Sequence, residues 1–178
     1  MNKLLEIFLR WRGHRIGFHT DIQKMYNSVK LHESHWCLQR YLWQKDLEPN
    51  QPPEEKVIKT LIYGIKSSGN QAERGLRETV KKFKDKQPDV HRVITEDVYV
   101  DDCLSGGKST SETKKLSDNV EQIIARGGYT LKGITMSGQQ PHQSLSSDGV
   151  TISVAGMKWH PENDLLSINI KDLNFAKK

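Results

Sequence analysis

The chain has 178 residues, enough for one domain with a real core, or one domain with a small appendage. Its apolar share of 35% comes with no stretch long enough for a membrane-crossing helix, and Cys37 and Cys103, far apart and outside any Cys-x-x-Cys spacing, exclude a disulfide framework and fit a reducing compartment. A formal charge of +5 and a pI near 9.1 permit a polyanionic partner without requiring one.

Taken in chain order, the apolar run from Met1 to Leu9 contains Glu6 and leads straight into Arg10, Trp11 and Arg12, unlike a secretory signal. Ile16 to Thr20 reads as a short strand that delivers Asp21 to its end, after which Ile22, Met25, Tyr26 and Val29 recur at helical spacing. On that local pattern alone Asp21 could be a helix N-cap. His32, His35 and Cys37 lie close together but match no standard zinc-ligand spacing. Residues 31 to 47 carry Trp36, Leu38, Tyr41, Leu42 and Trp43 and give way to a loop at Glu48-Pro49-Asn50-Gln51-Pro52-Pro53, so the flanks are predicted to form a solvent-projecting hairpin.

From Asn70, Ala72, Leu76, Val80 and Phe83 form one apolar stripe, with Arg74, Arg77, Lys81, Lys82 and Lys84 on the remaining surface. This predicts an amphipathic helix begun by Asn70 in a capping-box relation with Glu73. Gly75 within it costs about 1 kcal/mol relative to Ala. Next, Val98 and Val100 alternate with Asp97 and Tyr99, and Leu104 resumes beyond Asp101-Asp102 before Gly106-Gly107, which reads as strand, tight turn, strand. A second helix is predicted between a capping box at Ser109 and Glu112 and a stop at Gly127-Gly128, with Leu116, Val120, Ile123 and Ile124 on one face. Tyr129 to Ile134 is extended, Gln139 to Gly149 is a polar loop, and Val150, Ile152 and Val154 alternate as a strand into Gly156-Met157-Lys158-Trp159. Pro161 to Asp164 then turns the chain back along Leu165 to Ile170. No internal repeat is found. The order of elements predicts an α+β fold, an antiparallel sheet with two main helices packed on one face.

The chemistry concentrates at Asp101 and Asp102. Adjacent carboxylates at a hairpin tip repel each other unless a cation compensates, although a single Asp in a turn needs no function. Should the strand ending at Asp21 neighbour this hairpin, three carboxylates converge. Such a set of oxygen ligands suits Mg²⁺ or Mn²⁺, and two ions about 4 Å apart support nucleotidyl transfer to a 3′-hydroxyl.

With these residues in view, nearly the whole chain resembles the reverse transcriptases of LTR retrotransposons, most closely the Bel/Pao group. Asp21-Ile22-Gln23-Lys24-Met25-Tyr26 resembles their first polymerase motif, Tyr63-Gly64-Ile65-Lys66-Ser67-Ser68-Gly69 the second, and Tyr99-Val100-Asp101-Asp102 the third. Gly127-Gly128-Tyr129-Thr130-Leu131-Lys132 is similar to the segment after the palm helix, and Ala155-Gly156-Met157-Lys158-Trp159 to the hairpin that supports the primer end.

The resemblance implies a right-hand polymerase palm, incomplete, in residues 1–30 and 63–178, with 31–62 as a partial fingers-like insertion. It implies that Asp21 and Asp101 bind two Mg²⁺ or Mn²⁺ ions, with Asp102 as a nearby carboxylate of lesser or orienting role. Tyr26 matches the aromatic beneath the incoming sugar; on pattern alone it could equally be a core aromatic. Tyr63, Gly64 and Tyr99 fall in the substrate-facing motifs, and Met157 and Trp159 would support the primer terminus or fill the core. Implied partners are an RNA or DNA template with its primer, a dNTP, and the rest of a Gag-Pol-type polyprotein, with no membrane. The implied location is intracellular and cytoplasmic, virus-like particles included.

The sequence departs from the family pattern at Gly69, where many relatives have Pro, and at Asn70-Gln71, where they tend to be apolar. Only 20 residues precede Asp21, and the chain ends at Lys177-Lys178, so most of the fingers, the thumb and an RNase H domain are expected to lie outside it. The isolated chain is accordingly expected to polymerise weakly or not at all. The alternatives are a non-catalytic nucleic-acid-binding relic of a retrotransposon polyprotein and, with less support, a palm-type nucleotide cyclase.

Overall fold

In the computed structural model residues 3–44 and 51–168 are described. The predicted loop at Glu48, Pro49 and Asn50, the end of the last predicted strand at Ile170, and Lys177-Lys178 lie outside the described residues. Ile16–Gln23 forms β1, whose small and apolar residues are buried along most of its length. It is central in a four-stranded antiparallel sheet ordered β4-β5-β1-β6, with β4 at Val98–Tyr99, β5 at Asp102–Gly107 and β6 at Thr130–Met136. Gly106 lets β5 approach β1 closely, since a Cβ there would stand 2.3 Å from the Ile16 carbonyl oxygen.

One face of this sheet carries Leu104, which joins Ile7 and Trp11 of helix α1 (Leu4–Arg12) and Ile152, Val154 and Trp159 in a buried cluster. The last three come from β7 (Ile152–Val154) and β8 (Met157–His160), which pair with β9 (Leu165–Ile168) in a separate three-stranded antiparallel sheet. The Trp11 and Trp159 rings meet edge to face at 5.0 Å. Asp164 closes the same region: its Oδ1 accepts hydrogen bonds from Arg12 at 2.6 Å, Ser137 at 3.0 Å and the Trp159 indole at 3.0 Å.

Helices α3 (Pro88–Glu96) and α4 (Thr110–Ala125) pack on each other and on β5. Helix α4 follows its sequence signals: the Ser109 hydroxyl accepts the Glu112 N–H, and the Glu112 carboxylate takes the Lys108 N–H. Its buried face adds Thr113 and Ser117 to Val120, Ile123 and Ile124, while Leu116 is only partly covered. Helix α3 is absent from the predicted elements, although Pro88 at its first turn and Val90, Val93 and Ile94 at helical spacing announce it. Helix α1 is absent from them as well.

Helix α2 runs over Ser68–Lys81, so Asn70 lies inside it and is not its cap. Ala72, Leu76 and Val80 are buried as the stripe predicts, and Phe83 lies beyond the helix with Arg126 over its ring. After β1 the chain forms a 3-10 turn at Met25–Ser28, opened by Lys24 at φ 48°, in place of the expected α-helix. The chain divides into two units, one reaching Gln23 and resuming at Leu76, the other Lys24–Gly75. The second contains the predicted hairpin, β2 (Arg40–Trp43) paired antiparallel with β3 (Glu54–Val57), and every residue of β2 is exposed. Among the described residues no helix is long and apolar enough to cross a membrane.

Candidate active site

The third motif forms a two-residue turn: Tyr99 pairs with Asp102, leaving Val100 and Asp101 as the link between β4 and β5. Val100 sits at φ 56°, the left-handed region that β-branched residues avoid and where a turn of this kind usually has glycine. The bend therefore holds backbone strain at the carboxylates.

β1 runs past this turn, and Asp21 lies directly opposite Asp102 in the β1–β5 register. The Ile22 N–H donates to the Asp101 carbonyl at 2.8 Å and fixes the turn against β1. Asp21 is thus a strand residue and not a helix N-cap. Register and turn bring Asp21, Asp101 and Asp102 to one end of the β1–β5 pair.

Their environments differ. The Asp21 carboxyl is pushed above the ordinary carboxylate range, first by burial and then by the Asp102 charge, with Lys132 acting against the shift. Burial also raises Asp101; its own backbone N–H opposes this, and Asp102 and Asp21 add to it. Asp102 is instead tethered: His19 Nε2 lies 2.7 Å from its Oδ1, and the Ala155 N–H donates to its Oδ2 at 3.1 Å. His19 is 1% exposed. It stands two residues before Asp21 on the same strand, and this period-2 relation places both on one face. His19 is not among the residues the sequence singles out, although that spacing is visible there. Ala155 occupies the turn between β7 and β8, so Asp102 links the acidic turn to the hairpin that the resemblance associates with a primer end.

No group of three or more His, Cys, Asp or Glu side chains that could hold a metal ion occurs among the described residues. The donor chemistry nevertheless suits Mg²⁺, which is bound through one or two carboxylates completed by water and substrate phosphates rather than by an all-protein cage. Asp21 and Asp101 are two half-buried carboxylates whose charge is penalised where they stand, the condition a divalent cation relieves.

The remaining candidates separate. Tyr99 packs at the edge of the Ile7–Trp159 cluster, and Met157 is partly buried on β8. Trp159 has no exposure, and its indole N–H is bonded to Asp164; its side chain fills the core. Tyr26 and Tyr63 belong to the Lys24–Gly75 unit, where their rings lie 4.4 Å apart. Gly64 is at φ 88°, and a Cβ there would meet no atom within 4 Å, so conformation and not crowding calls for glycine. Comparison with known proteins finds no family model that matches the chain and no curated protein similar to it.

Proposed function

We propose that the chain is the palm of an RNA-directed DNA polymerase, carrying the carboxylates for two-metal transfer of a dNTP to a primer 3′-hydroxyl. The observation that carries this reading is the β1–β5 register, which sets Asp21 opposite Asp102 beside the Tyr99-Val100-Asp101-Asp102 turn. Asp21 and Asp101 would hold Mg²⁺ or Mn²⁺; two such ions, when bound, activate the attacking hydroxyl and stabilise the leaving pyrophosphate. Asp102, held at both oxygens by His19 and the Ala155 N–H, orients the turn and keeps a third negative charge beside the pair. Lys132 supplies the neighbouring positive charge.

Primer extension on an RNA template with Mg²⁺ or Mn²⁺ tests the proposal. Weak incorporation by the wild-type chain that falls to background in Asp101→Asn is expected, since loss of a ligand removes stabilisation made mainly in the transition state. Measurable incorporation that is equal in wild type and variant would remove Asp101 from the site. A second reading, nucleic-acid binding without polymerisation, draws on the tethering of Asp102, whose two oxygens are already engaged. Template–primer binding with no incorporation under any metal would favour it.

A further inference from the structure

A cavity of about 380 Å³ opens where helices α3 and α4 meet the end of β5 remote from Asp102, wholly within the unit that carries the four-stranded sheet. It exceeds the roughly 300 Å³ at which sites for small molecules begin. Gly106 and Gly107 border it, with two side chains set close against them: a Cβ at Gly106 would stand 2.8 Å from the His14 Cβ, and one at Gly107 3.2 Å from the Glu112 carboxyl carbon. The Lys108 N–H holds that carboxylate in place at 3.0 Å. No residue on the wall belongs to the acidic turn, to the His19 tether or to the motifs behind the polymerase reading.

The wall carries both signs of charge. Arg92 comes from α3, Lys108 from the link between β5 and α4, and Lys115 from α4. Arg92 commits its Nη1 to the buried Asp97 at 2.9 Å. Lys108 and Lys115 are exposed, and neither ammonium group makes an ion pair among the described residues. Beside these cations stand the Asp89 and Glu112 carboxylates and the Gln87 and Asn119 amides. Burial keeps His14 below the ordinary imidazole value, so it is neutral at pH 7 and the three cations outnumber the two carboxylates.

This composition selects among ligands. A bare anion would meet two carboxylates, and a neutral sugar would make no use of the lysine ammonium groups. Leu116 is the one hydrocarbon side chain on the wall among the described residues, and no Phe, Tyr or Trp is there, so a nucleobase finds no ring to stack on. We infer that this cavity is a binding site for a small phosphate ester with a hydroxylated body, of which a pentose phosphate is the simplest example. Its phosphate oxygens accept from Arg92, Lys108 and Lys115, and its hydroxyls donate to the Asp89 and Glu112 carboxylates. Neither metal nor the acidic turn takes part, so the inference goes beyond the polymerase reading and does not depend on it.

The test is a titration of the full ¹⁵N-labelled chain in EDTA with ribose 5-phosphate, ribose and inorganic phosphate, followed by amide shifts. Saturable shifts confined to His14 and to residues 87–92 and 106–119 are expected for ribose 5-phosphate, with at least about tenfold weaker binding of each of the other two ligands. Lys108→Ala combined with Lys115→Ala changes two exposed residues outside the proposed active site and should weaken binding of the ester by a similar factor. The comparison of ligands requires no mutation, so it holds even where the variant folds poorly. Inorganic phosphate or ribose binding as tightly as the ester, equal binding by the wild type and the double variant, shifts centred on the Asp101 turn, or no saturable shift at all would overturn the site.

Discussion

At the residue scale, Asp21 and Asp101 are held with raised proton affinity, chiefly by burial. A carboxyl that binds its proton more tightly folded than unfolded favours the folded state when protonated. Its cost therefore begins as pH rises past the ordinary value near 3.8 and is complete above its raised folded value. Asp101→Asn should raise the thermal midpoint of the metal-free chain by about 1–3 °C at pH 7, and the gain should vanish below that window. Thermal melts across pH 3 to 8 measure this; an unchanged or lowered midpoint at pH 7 would show that the carboxylate carries no such penalty. Both aspartates could be chosen from the sequence by residue type and motif. The His19 tether could not be chosen that way, because a histidine in an apolar strand is usually a packed core residue, and only the β1–β5 register brings it to Asp102.

At the element scale, the hairpin of β7 and β8 does two things: its turn donates the Ala155 N–H to Asp102, and its strands bury Trp159 against Trp11. Trp159→Ala should therefore cost about 3–5 kcal/mol, read as a lowered urea midpoint, because it opens a cavity in the core and frees the Asp164 anchor. A loss under 1 kcal/mol would contradict the core role. Alternation at Ile152 and Val154 made this hairpin legible in sequence, although Val150, expected in the strand, lies before it and is 59% exposed; the cap and Gly stop did the same for α4. Helices α1 and α3 were hidden for physical reasons. Helix α1 shows only Ile7 and Trp11 as buried residues, with Leu5 and Leu9 exposed, so its pattern is blurred. Helix α3 is only 9 residues long and ends directly before β4, so its Val and Ile read as strand formers.

At the scale of the whole molecule, the antiparallel α+β architecture was legible from element order. The extent of the Lys24–Gly75 unit was not. Backbone pairing within it joins distant segments: the Leu31 N–H donates to the Lys59 carbonyl and the Leu61 N–H to the Val29 carbonyl. Sequence periodicity carries no record of such pairing between distant segments. Polymerisation asks for a grip on template and primer as well as for metal ligands, so metal binding isolates the central claim. Mn²⁺ titration of the full chain, followed by water-proton relaxation, measures it directly. The account predicts saturable binding that is abolished in Asp21→Asn with Asp101→Asn and weakened about 10- to 100-fold in His19→Ala, which releases Asp102 without removing a ligand. Equal Mn²⁺ binding by the wild type and the double variant would contradict it.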